Sequence, residues 1–243
     1  MPDFTPQNIV ALMEVGDLPA MDMTAYMVSS VHDMKNSVCV MTAHLEFALA
    51  ELPVDGPSRS MAYQALYEAQ RIYHNLIQLL GLYKINGNIY PFDPVEVELT
   101  TFEAEVIARV QLLAKAKGVT VEVVTDEHER SWYFDYELIS GLITQSLHNA
   151  IKYTRDKVRL SMLVVDNQLE IRVDDNGAGF PPLILAQGFA TDQGINANTG
   201  STGLGLYFAA RAARLHRNRT RFGSTRLENY GVLGGGTFIL ILP

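Results

Sequence analysis

The most informative stretch of this chain reads Asp174-Asp175-Asn176-Gly177-Ala178-Gly179. It closes a strand-like run, Leu169–Asp174, which an Asp166-Asn167 turn joins to an earlier run, Val158–Val165. Two apolar runs separated by such a turn predict a β-hairpin. Glycines after a strand let the backbone approach a ligand closely, and an aspartate at the strand end can accept a hydrogen bond from an exocyclic amine. The alternative is a tight turn in which these residues serve only the backbone.

A second glycine-rich stretch reads Gly200-Ser201-Thr202-Gly203-Leu204-Gly205-Leu206 and leads into a predicted helix over Thr202–His216. The free N–H groups and the dipole of a helix N-terminus favour an anion such as phosphate. The glycine spacing matches neither GxxxxGK[ST] nor GxGxxG, which excludes the P-loop and Rossmann classes. Between the two stretches, residues 176–200 are rich in Gly, Pro, Asn and Thr and predict a loop.

The surrounding sequence predicts an α/β sandwich in which helices cover one face of a mixed sheet. A capping box at Thr100 and Glu103 predicts the start of one helix, which Gly118 ends after about Lys117. Asp135 is expected to cap a second helix that continues through Tyr153. The remaining strand-like runs are Val95–Leu99, Val119–Val124, Trp132–Asp135 and Thr237–Leu242.

The first part of the chain is helical, with two apolar repeats of heptad spacing on either side of a break at Pro53–Pro57. One such hairpin buries little by itself, so we predict a homodimer through residues 21–88 that shares a four-helix core. The organisation is then a short segment 1–20, the helical hairpin 21–88 and an α/β domain 89–243. The first repeat is Met27, Val31, Met34, Val38, Met41, Leu45, Ala48 and Leu52, and the second is Ala62, Leu66, Ala69, Tyr73, Leu76, Leu80 and Tyr83.

The composition excludes several classes of protein. Over 243 residues the hydrophobic share is 48% and the formal net charge is −8, which argues against a disordered chain and against a nucleic-acid partner. The single cysteine, Cys39, cannot form an internal disulfide and fits a reducing cytoplasm. No apolar run reaches the roughly 18 residues of a membrane span, so we expect a cytoplasmic protein without direct membrane insertion.

The first apolar helix carries His32-Asp33-Met34-Lys35-Asn36. His32 lies on the flank of the apolar repeat, and a neutral imidazole is a good nucleophile near pH 7. Asp33 can accept the ring proton or hold its tautomer. Asn36 lies one helical turn further on the same face, where an amide can orient a water molecule. The alternative is an exposed helix with ordinary polar residues.

The helix that starts after Asp135 closes with Asn149-Ala150-Ile151-Lys152-Tyr153-Thr154. The Asn149 side-chain oxygen is the kind of hard ligand that Mg²⁺ prefers, and Lys152 can neutralise phosphate charge. The alternative is a capped surface helix.

In their order along the chain, these motifs resemble those of the bacterial histidine kinases of two-component systems. Residues 32–36 resemble the H box, residues 135–154 the helix with the N box, and residues 175–179 and 200–206 the G1 and G2 boxes. Residues 234–243 are similar to the closing strand of that family. The resemblance covers roughly residues 22–243.

The resemblance implies a dimerisation and histidine-phosphotransfer hairpin followed by a Bergerat-type ATP-binding domain, with ATP and Mg²⁺ as cofactors. It implies His32 as phospho-acceptor, Asp33 as its base, and Asn36 as a residue for hydrolysis of a phosphorylated partner, a response-regulator receiver domain. Residues 180–199 would form a lid anchored by Phe189. Mg²⁺ would be held by Asn149 and Gln145, and ATP by Asn149, Lys152, Tyr153, Asp175, Gly177, Gly179, Gly203, Leu204 and Gly205.

Two departures from the family pattern keep alternatives open. Gln145 stands where the family usually carries Asn and related ATPases carry an acid, and Phe189 is followed by Ala190 rather than a basic residue. A dimeric ATP-binding regulatory module without phosphotransfer is therefore the runner-up, and Gln145 favours it. A third alternative is an ATPase of the gyrase, chaperone or mismatch-repair type, against which the helical hairpin argues. A sensor segment is not recognised, so we expect a sensor protein acting in trans or a longer parent chain.

Overall fold

The computed structural model describes residues 23–53, 56–125, 130–187 and 204–243. Its helices are α1 (Met23–Glu51), α2 (Pro57–Asn86), α3 (Leu99–Lys117), α4 (Tyr136–Tyr153), α5 (Pro182–Gln187) and α6 (Leu204–Leu215). Its strands are β1 (Pro94–Glu98), β2 (Thr120–Thr125), β3 (Ser131–Asp135), β4 (Lys157–Val165), β5 (Gln168–Asp175), β6 (Arg217–Asn218), β7 (Arg221–Phe222), β8 (Ser224–Asn229) and β9 (Gly236–Leu242).

The central sheet contains five strands in the order β2-β4-β5-β9-β8. Strands β2 and β4 run parallel and the other neighbours antiparallel, so the predicted mixed sheet is confirmed. Asp166 and Asn167, at the tip of the β4–β5 hairpin, have φ angles of 51° and 61°. These left-handed values are the ones that a type I′ turn requires. Strands β1 and β3 form a separate antiparallel pair, and β6 and β7 form a short ribbon.

Helices α3 and α4 cover one face of the sheet. The hydrophobic core lies between these helices and the sheet. Alternate residues of each strand point into this core, because successive side chains of a strand face opposite ways. The same alternation explains why the sheet strands read as apolar runs broken by single polar residues. Fully buried core residues include Phe102, Val106, Val110, Ile139, Ile143, Leu147, Val158, Leu160, Met162, Leu169, Ile171 and Leu240.

Two predicted helix boundaries are confirmed by their caps. The N–H of Leu138 donates to Oδ1 of Asp135 at 3.0 Å, which caps α4 as expected. Gly118 follows α3 with a φ of 66°, the left-handed conformation in which glycine commonly ends a helix.

The predicted capping box of α3 is wrong. The helix begins two residues earlier than this box requires, at Leu99 with Glu98 as the N-cap, so Thr100 lies inside its first turn and cannot be the N-cap. The hydroxyl of Thr100 instead donates to the Glu98 carboxylate at 2.5 Å. Strand β1 runs directly into the helix, and the N–H of Leu99 donates to the backbone oxygen of Arg130 at 2.9 Å. This backbone acceptor satisfies one of the free N–H groups at the start of the helix, as a capping side chain would.

Helices α1 and α2 pack against each other as the predicted hairpin. Its first apolar repeat is only partly covered within one chain: Val31 and Val38 are half-buried, whereas Met27, Met34 and Met41 are 60%, 55% and 43% exposed. None of the helices in the described ranges is both long and apolar enough to cross a membrane.

The hairpin also contacts the α/β part of the chain through α2. Leu82 and Ile85 are buried in the same core as the sheet residues. A Cβ on Gly81 would lie 2.6 Å from the Phe208 ring, so α2 and α6 approach each other closely at this glycine.

Two regions differ from the sequence-based expectation. Within the predicted loop 176–200, residues Pro182–Gln187 form the short helix α5. Strand β8 was not predicted, because its sequence Ser-Thr-Arg-Leu-Glu-Asn lacks an apolar run. It forms at the edge of the sheet, where pairs such as Arg226 with Ile239 complete the hydrogen bonding of β9.

Candidate functional site

Asp175 ends β5 with its side chain held by backbone donors. Its Oδ1 accepts from the N–H of Gly177 at 2.7 Å and of Gly236 at 3.2 Å. Its own backbone oxygen accepts from the N–H of Gly235 at 3.0 Å. Within the described ranges no hydrogen bond engages Oδ2. One carboxylate oxygen therefore fixes the orientation of the side chain, and the other can accept a hydrogen bond from a ligand.

Glycines are required around Asp175 because backbones meet there. A Cβ on Gly177 would lie 2.2 Å from the carbonyl oxygen of Tyr153, and a Cβ on Gly235 would lie 2.4 Å from that of Asp175. Such distances are far below van der Waals contact, so larger residues would force these segments apart. The predicted glycine Gly177 thus lies where the end of α4 meets the end of β5.

Asn176 joins the same two segments through one side-chain oxygen. Its Oδ1 accepts from the hydroxyl of Thr154 at 2.6 Å and from the N–H groups of Arg155, Asp156 and Lys157 at 3.2 Å each. Its Nδ2 donates to the Asp156 carboxylate at 2.7 Å. The sequence prediction missed this role, although an asparagine beside a turn is a common local hydrogen-bonding residue.

Asn149 and Gln145 lie one turn apart on α4. Nε2 of Gln145 donates to Oδ1 of Asn149 at 3.4 Å, and Asn149 is exposed. Oε1 of Gln145 is buried without a partner in the described part of the chain. Two amide oxygens suit Mg²⁺ chemically. Since no group of three His, Cys, Asp or Glu residues with metal-binding geometry occurs in the described ranges, a divalent ion here would need oxygens from water and phosphate as well.

Lys152 lies at the exposed end of α4 between two tyrosines. Its Nζ is 5.0 Å from the centre of the Tyr153 ring. Partial burial lowers the pKa of Lys152, but interactions with Tyr153 and with Tyr67 of α2 outweigh it, so the pKa is raised overall. The lysine therefore stays charged over the physiological range, as a phosphate ligand must.

The second glycine stretch is described only from Leu204 onward. Gly205 lies in the first turn of α6, where a Cβ would be 3.6 Å from the side-chain amide of Gln78 in α2. Gly203 and Phe189 lie outside the described residues, as does the expected lid from residue 188 to 199.

His32 lies on the exposed face of α1 with its two predicted neighbours. Its Nδ1 is 3.7 Å from the Asp33 carboxylate and 3.4 Å from the amide nitrogen of Asn36. The imidazole and carboxylate side chains are 58% and 79% exposed. The structure therefore brings His32, Asp33 and Asn36 together through contacts within α1, and leaves the ring open to a partner.

Helices α2 and α4 are linked by two packed histidines. The rings of His74 and His148 meet edge to face with their centroids 5.0 Å apart. Nδ1 of His74 is 2.7 Å from the backbone oxygen of Gln70, so this nitrogen carries the proton of a neutral ring. Burial, with a contribution from His74, lowers the pKa of His148 to about 3, and burial lowers the pKa of His74 as well. This contact places the hairpin directly against the helix that carries Asn149.

Residues 134–243 match the model of the histidine kinase-, DNA gyrase B- and HSP90-like ATPase family. This class fits the carboxylate and glycine arrangement described above and implies ATP as the ligand. The sensor-like histidine kinase SenX3 of Mycobacterium tuberculosis is 27% identical over 219 residues, which cover 87% of this chain and 52% of SenX3. The phosphate regulon sensor protein PhoR of Pseudomonas aeruginosa is 26% identical over 200 residues, 79% of this chain and 45% of PhoR. The ATPase domain and these relatives support the resemblance to bacterial two-component sensor histidine kinases that the motifs predicted.

Solved structures support the fold. Histidine kinase AdeS of Acinetobacter baumannii superposes with a TM-score of 0.55 at 15% identity, covering 85% of this chain and 95% of that chain. Full-length ShkA in complex with AMPPNP superposes with a TM-score of 0.60 at 17% identity, covering 89% of this chain and 45% of that chain. The chain spans about half the length of the curated relatives SenX3 and PhoR, of which it covers 52% and 45%.

Proposed function

We propose that this chain transfers the γ-phosphoryl group of ATP to His32 and then to an aspartate on a response-regulator receiver domain. One observation carries the proposal. The chain holds the Asp175 carboxylate in a fixed orientation through two backbone N–H groups, and it also exposes His32 next to Asp33 and Asn36. The response-regulator partner is inferred from the family, and the chain spans about half the length of the curated relatives SenX3 and PhoR.

In the transfer step, the reactive tautomer of His32 carries its proton on Nδ1, directed at the Asp33 carboxylate in place of the contact with the Asn36 amide nitrogen, and this leaves the electron pair of Nε2 free. A bond forms between Nε2 and the γ-phosphorus while the bond from that phosphorus to the bridging oxygen breaks, and ADP leaves with the electron pair. Asp33 takes the Nδ1 proton as charge develops on the ring. Such a reaction depends mainly on positioning and charge neutralisation.

Within the ATP site, Asp175 would accept a hydrogen bond from the adenine amine through Oδ2. Lys152 and Tyr153 would lie near the phosphates, and the segment with Gly203, Leu204 and Gly205 would supply N–H groups to them. Asn149 with Gln145 would hold Mg²⁺, which supplies positive charge to the phosphate oxygens.

We further propose that residues 21–88 form the dimerisation and phosphotransfer unit, and residues 89–243 the ATP-binding unit. The exposed methionines Met27, Met34 and Met41 support a shared bundle, because an apolar repeat left uncovered in one chain is expected to be buried by a second. Asn36 beside His32 supports a reverse activity, hydrolysis of the phospho-aspartate on the partner.

The test is incubation of the purified chain with Mg²⁺ and γ-labelled ATP, with His32→Ala and His44→Ala compared. His44 is a matched control because it is also an exposed histidine on α1. We expect acid-labile label in the wild type and in His44→Ala, and none in His32→Ala. Label that persists in His32→Ala would overturn His32 as the acceptor.

The second candidate function is a regulatory module that binds ATP without transferring phosphate. It is favoured by Gln145, whose amide nitrogen already occupies Oδ1 of Asn149, the oxygen that would ligate the metal. Wild-type chain that binds ATP but gains no label supports this module. The variant Gln145→Asn then separates the two: a kinase limited by its metal ligands gains labelling, and a module does not.

A further inference from the structure

Asn229, the last residue of β8, makes a two-way contact that no sequence motif predicted. Its Oδ1 accepts from the N–H of Phe180 at 2.7 Å, and its Nδ2 donates to the carbonyl oxygen of Phe180 at 3.0 Å. A side-chain amide that pairs with both backbone groups of one residue imitates a β-bridge. It ties the segment after the first glycine stretch to the edge of the sheet.

The same amide explains Gly179. This glycine has a φ of 77°, and a Cβ there would lie 2.6 Å from Oδ1 of Asn229. Both its backbone conformation and the nearby amide therefore require glycine. In the described structure, the space that Gly179 leaves free is used by Asn229.

The contact bears on the ligand site through the ring of Phe180. A Cβ on Gly236 would lie 3.0 Å from Cε2 of Phe180 and 3.0 Å from Oδ2 of Asp175. The ring edge and Oδ2 of Asp175, for which the described ranges contain no hydrogen bond, thus border the same small space next to Gly236. A shift of the Phe180 backbone would move the ring away from the Asp175 carboxylate, which we propose accepts a hydrogen bond from adenine.

We propose that Asn229 is a positioning residue of the nucleotide site, which holds Phe180 beside Asp175 and sets the direction in which the chain enters α5. This inference rests on the ATP-binding part of the proposed function and not on phosphotransfer. The neutral amide is specific for the task, because it offers one acceptor and one donor at once. An aspartate would keep the bond to the Phe180 N–H and set a negative charge against the Phe180 carbonyl.

The experiment compares Asn229→Ala, Asn229→Asp and the control Asn218→Ala in the whole chain. Asn218 is an exposed asparagine of β6. Hydrogen exchange of the Phe180 amide, measured without nucleotide, reports the contact directly. Titration with ATP and with GTP reports affinity and base selectivity.

In Asn229→Ala we expect about tenfold faster exchange at Phe180, about tenfold weaker ATP binding and a reduced preference for ATP over GTP. Asn229→Asp should keep slow exchange at the Phe180 amide and show a smaller loss of affinity. Asn218→Ala should match the wild type in every measurement.

Faster exchange with unchanged ATP affinity and selectivity would overturn the proposal, because Asn229 would then be merely structural. If Asn229→Ala does not fold, wild-type affinity in Asn229→Asp would overturn it as well. Wild-type chain that binds ATP without labelling His32 removes only the phosphotransfer proposal, and a tenfold affinity loss in Asn229→Ala would still support the positioning role. Wild-type chain that binds no ATP would overturn both.

Discussion

The region around Asp175 and the region around His32 are built in opposite ways. Asp175 is 8% exposed, and its carboxylate accepts from two backbone N–H groups that come from different strands and loops. His32 is exposed, and the polar contacts described for it stay within one helix turn of α1. The Asp175 carboxylate is oriented by contacts within a single chain, whereas the His32 ring is open to solvent. On the proposed function, ATP binding is therefore preorganised, and phosphotransfer depends on the approach of the nucleotide to His32.

The largest expected effect comes from breaking the preorganised region with Gly177→Ala. The new Cβ would lie 2.2 Å from the Tyr153 carbonyl oxygen, so α4 and β5 must separate. We expect a loss of about 3 kcal/mol in the free energy of unfolding, measured by denaturant titration, together with loss of ATP binding.

Gly141→Ala is the matched control for that variant. Gly141 lies inside α4 with open space around a Cβ, so alanine should stabilise the chain by about 0.5–1 kcal/mol. Equal stability of Gly177→Ala and the wild type would contradict the tight packing of α4 against β5.

A second, smaller effect is expected from the exposed region with Met34→Glu. If the apolar repeat of α1 is buried by a second chain, a glutamate there places an unpaired charge in the interface. We expect self-association, measured by analytical ultracentrifugation, to weaken by about tenfold, while ATP affinity remains unchanged. Phe47→Glu is the control, since Phe47 is 71% exposed on the same helix but lies off the repeat. Equal weakening by both variants would argue against the heptad as the seam.

The smallest expected effect is on the pH dependence of the free energy of unfolding, and it concerns His216 in the α/β part of the chain. Nε2 of His216 accepts from the N–H of Asp135 at 3.0 Å, and its Nδ1 is 3.0 Å from the backbone oxygen of Ala212. The ring is therefore neutral, with its proton on Nδ1. Burial lowers its pKa from the usual 6.5, although the bond to Ala212 and the charge of Asp135 oppose this.

Because the unfolded chain binds a proton more readily than the folded one, His216 stabilises the fold above pH 6.5, and this contribution is lost as the pH falls below that value. His216→Gln keeps an acceptor for Asp135 without a titratable ring. We expect its free energy of unfolding to depend less on pH between 7 and 5 than that of the wild type. Parallel pH profiles would exclude His216 as a contributor.

Local patterns predicted the helical hairpin, the β4–β5 hairpin and the caps at Asp135 and Gly118, because each depends on residues close together in the chain. The capping box at Thr100 was wrong for a non-local reason. The N–H of Leu99 has a backbone acceptor in Arg130, the residue before β3, and no local pattern reveals such a partner. The roles assigned to Asn149, Lys152 and Gln145 remain predictions.

The amino-acid sequence by itself determined the order of the motifs, the resemblance to the histidine kinases and the residue types available for chemistry, since these follow from spacing along the chain. Only the tertiary structure decided that β8 pairs with β9, that Asn229 holds Phe180, and that His216 accepts a hydrogen bond from the N–H of Asp135. Each of these contacts joins segments more than 45 residues apart or depends on a sheet edge that must first exist. The stabilising free energy of these contacts comes from partners that meet only after folding. The sequence around each residue therefore does not predict them.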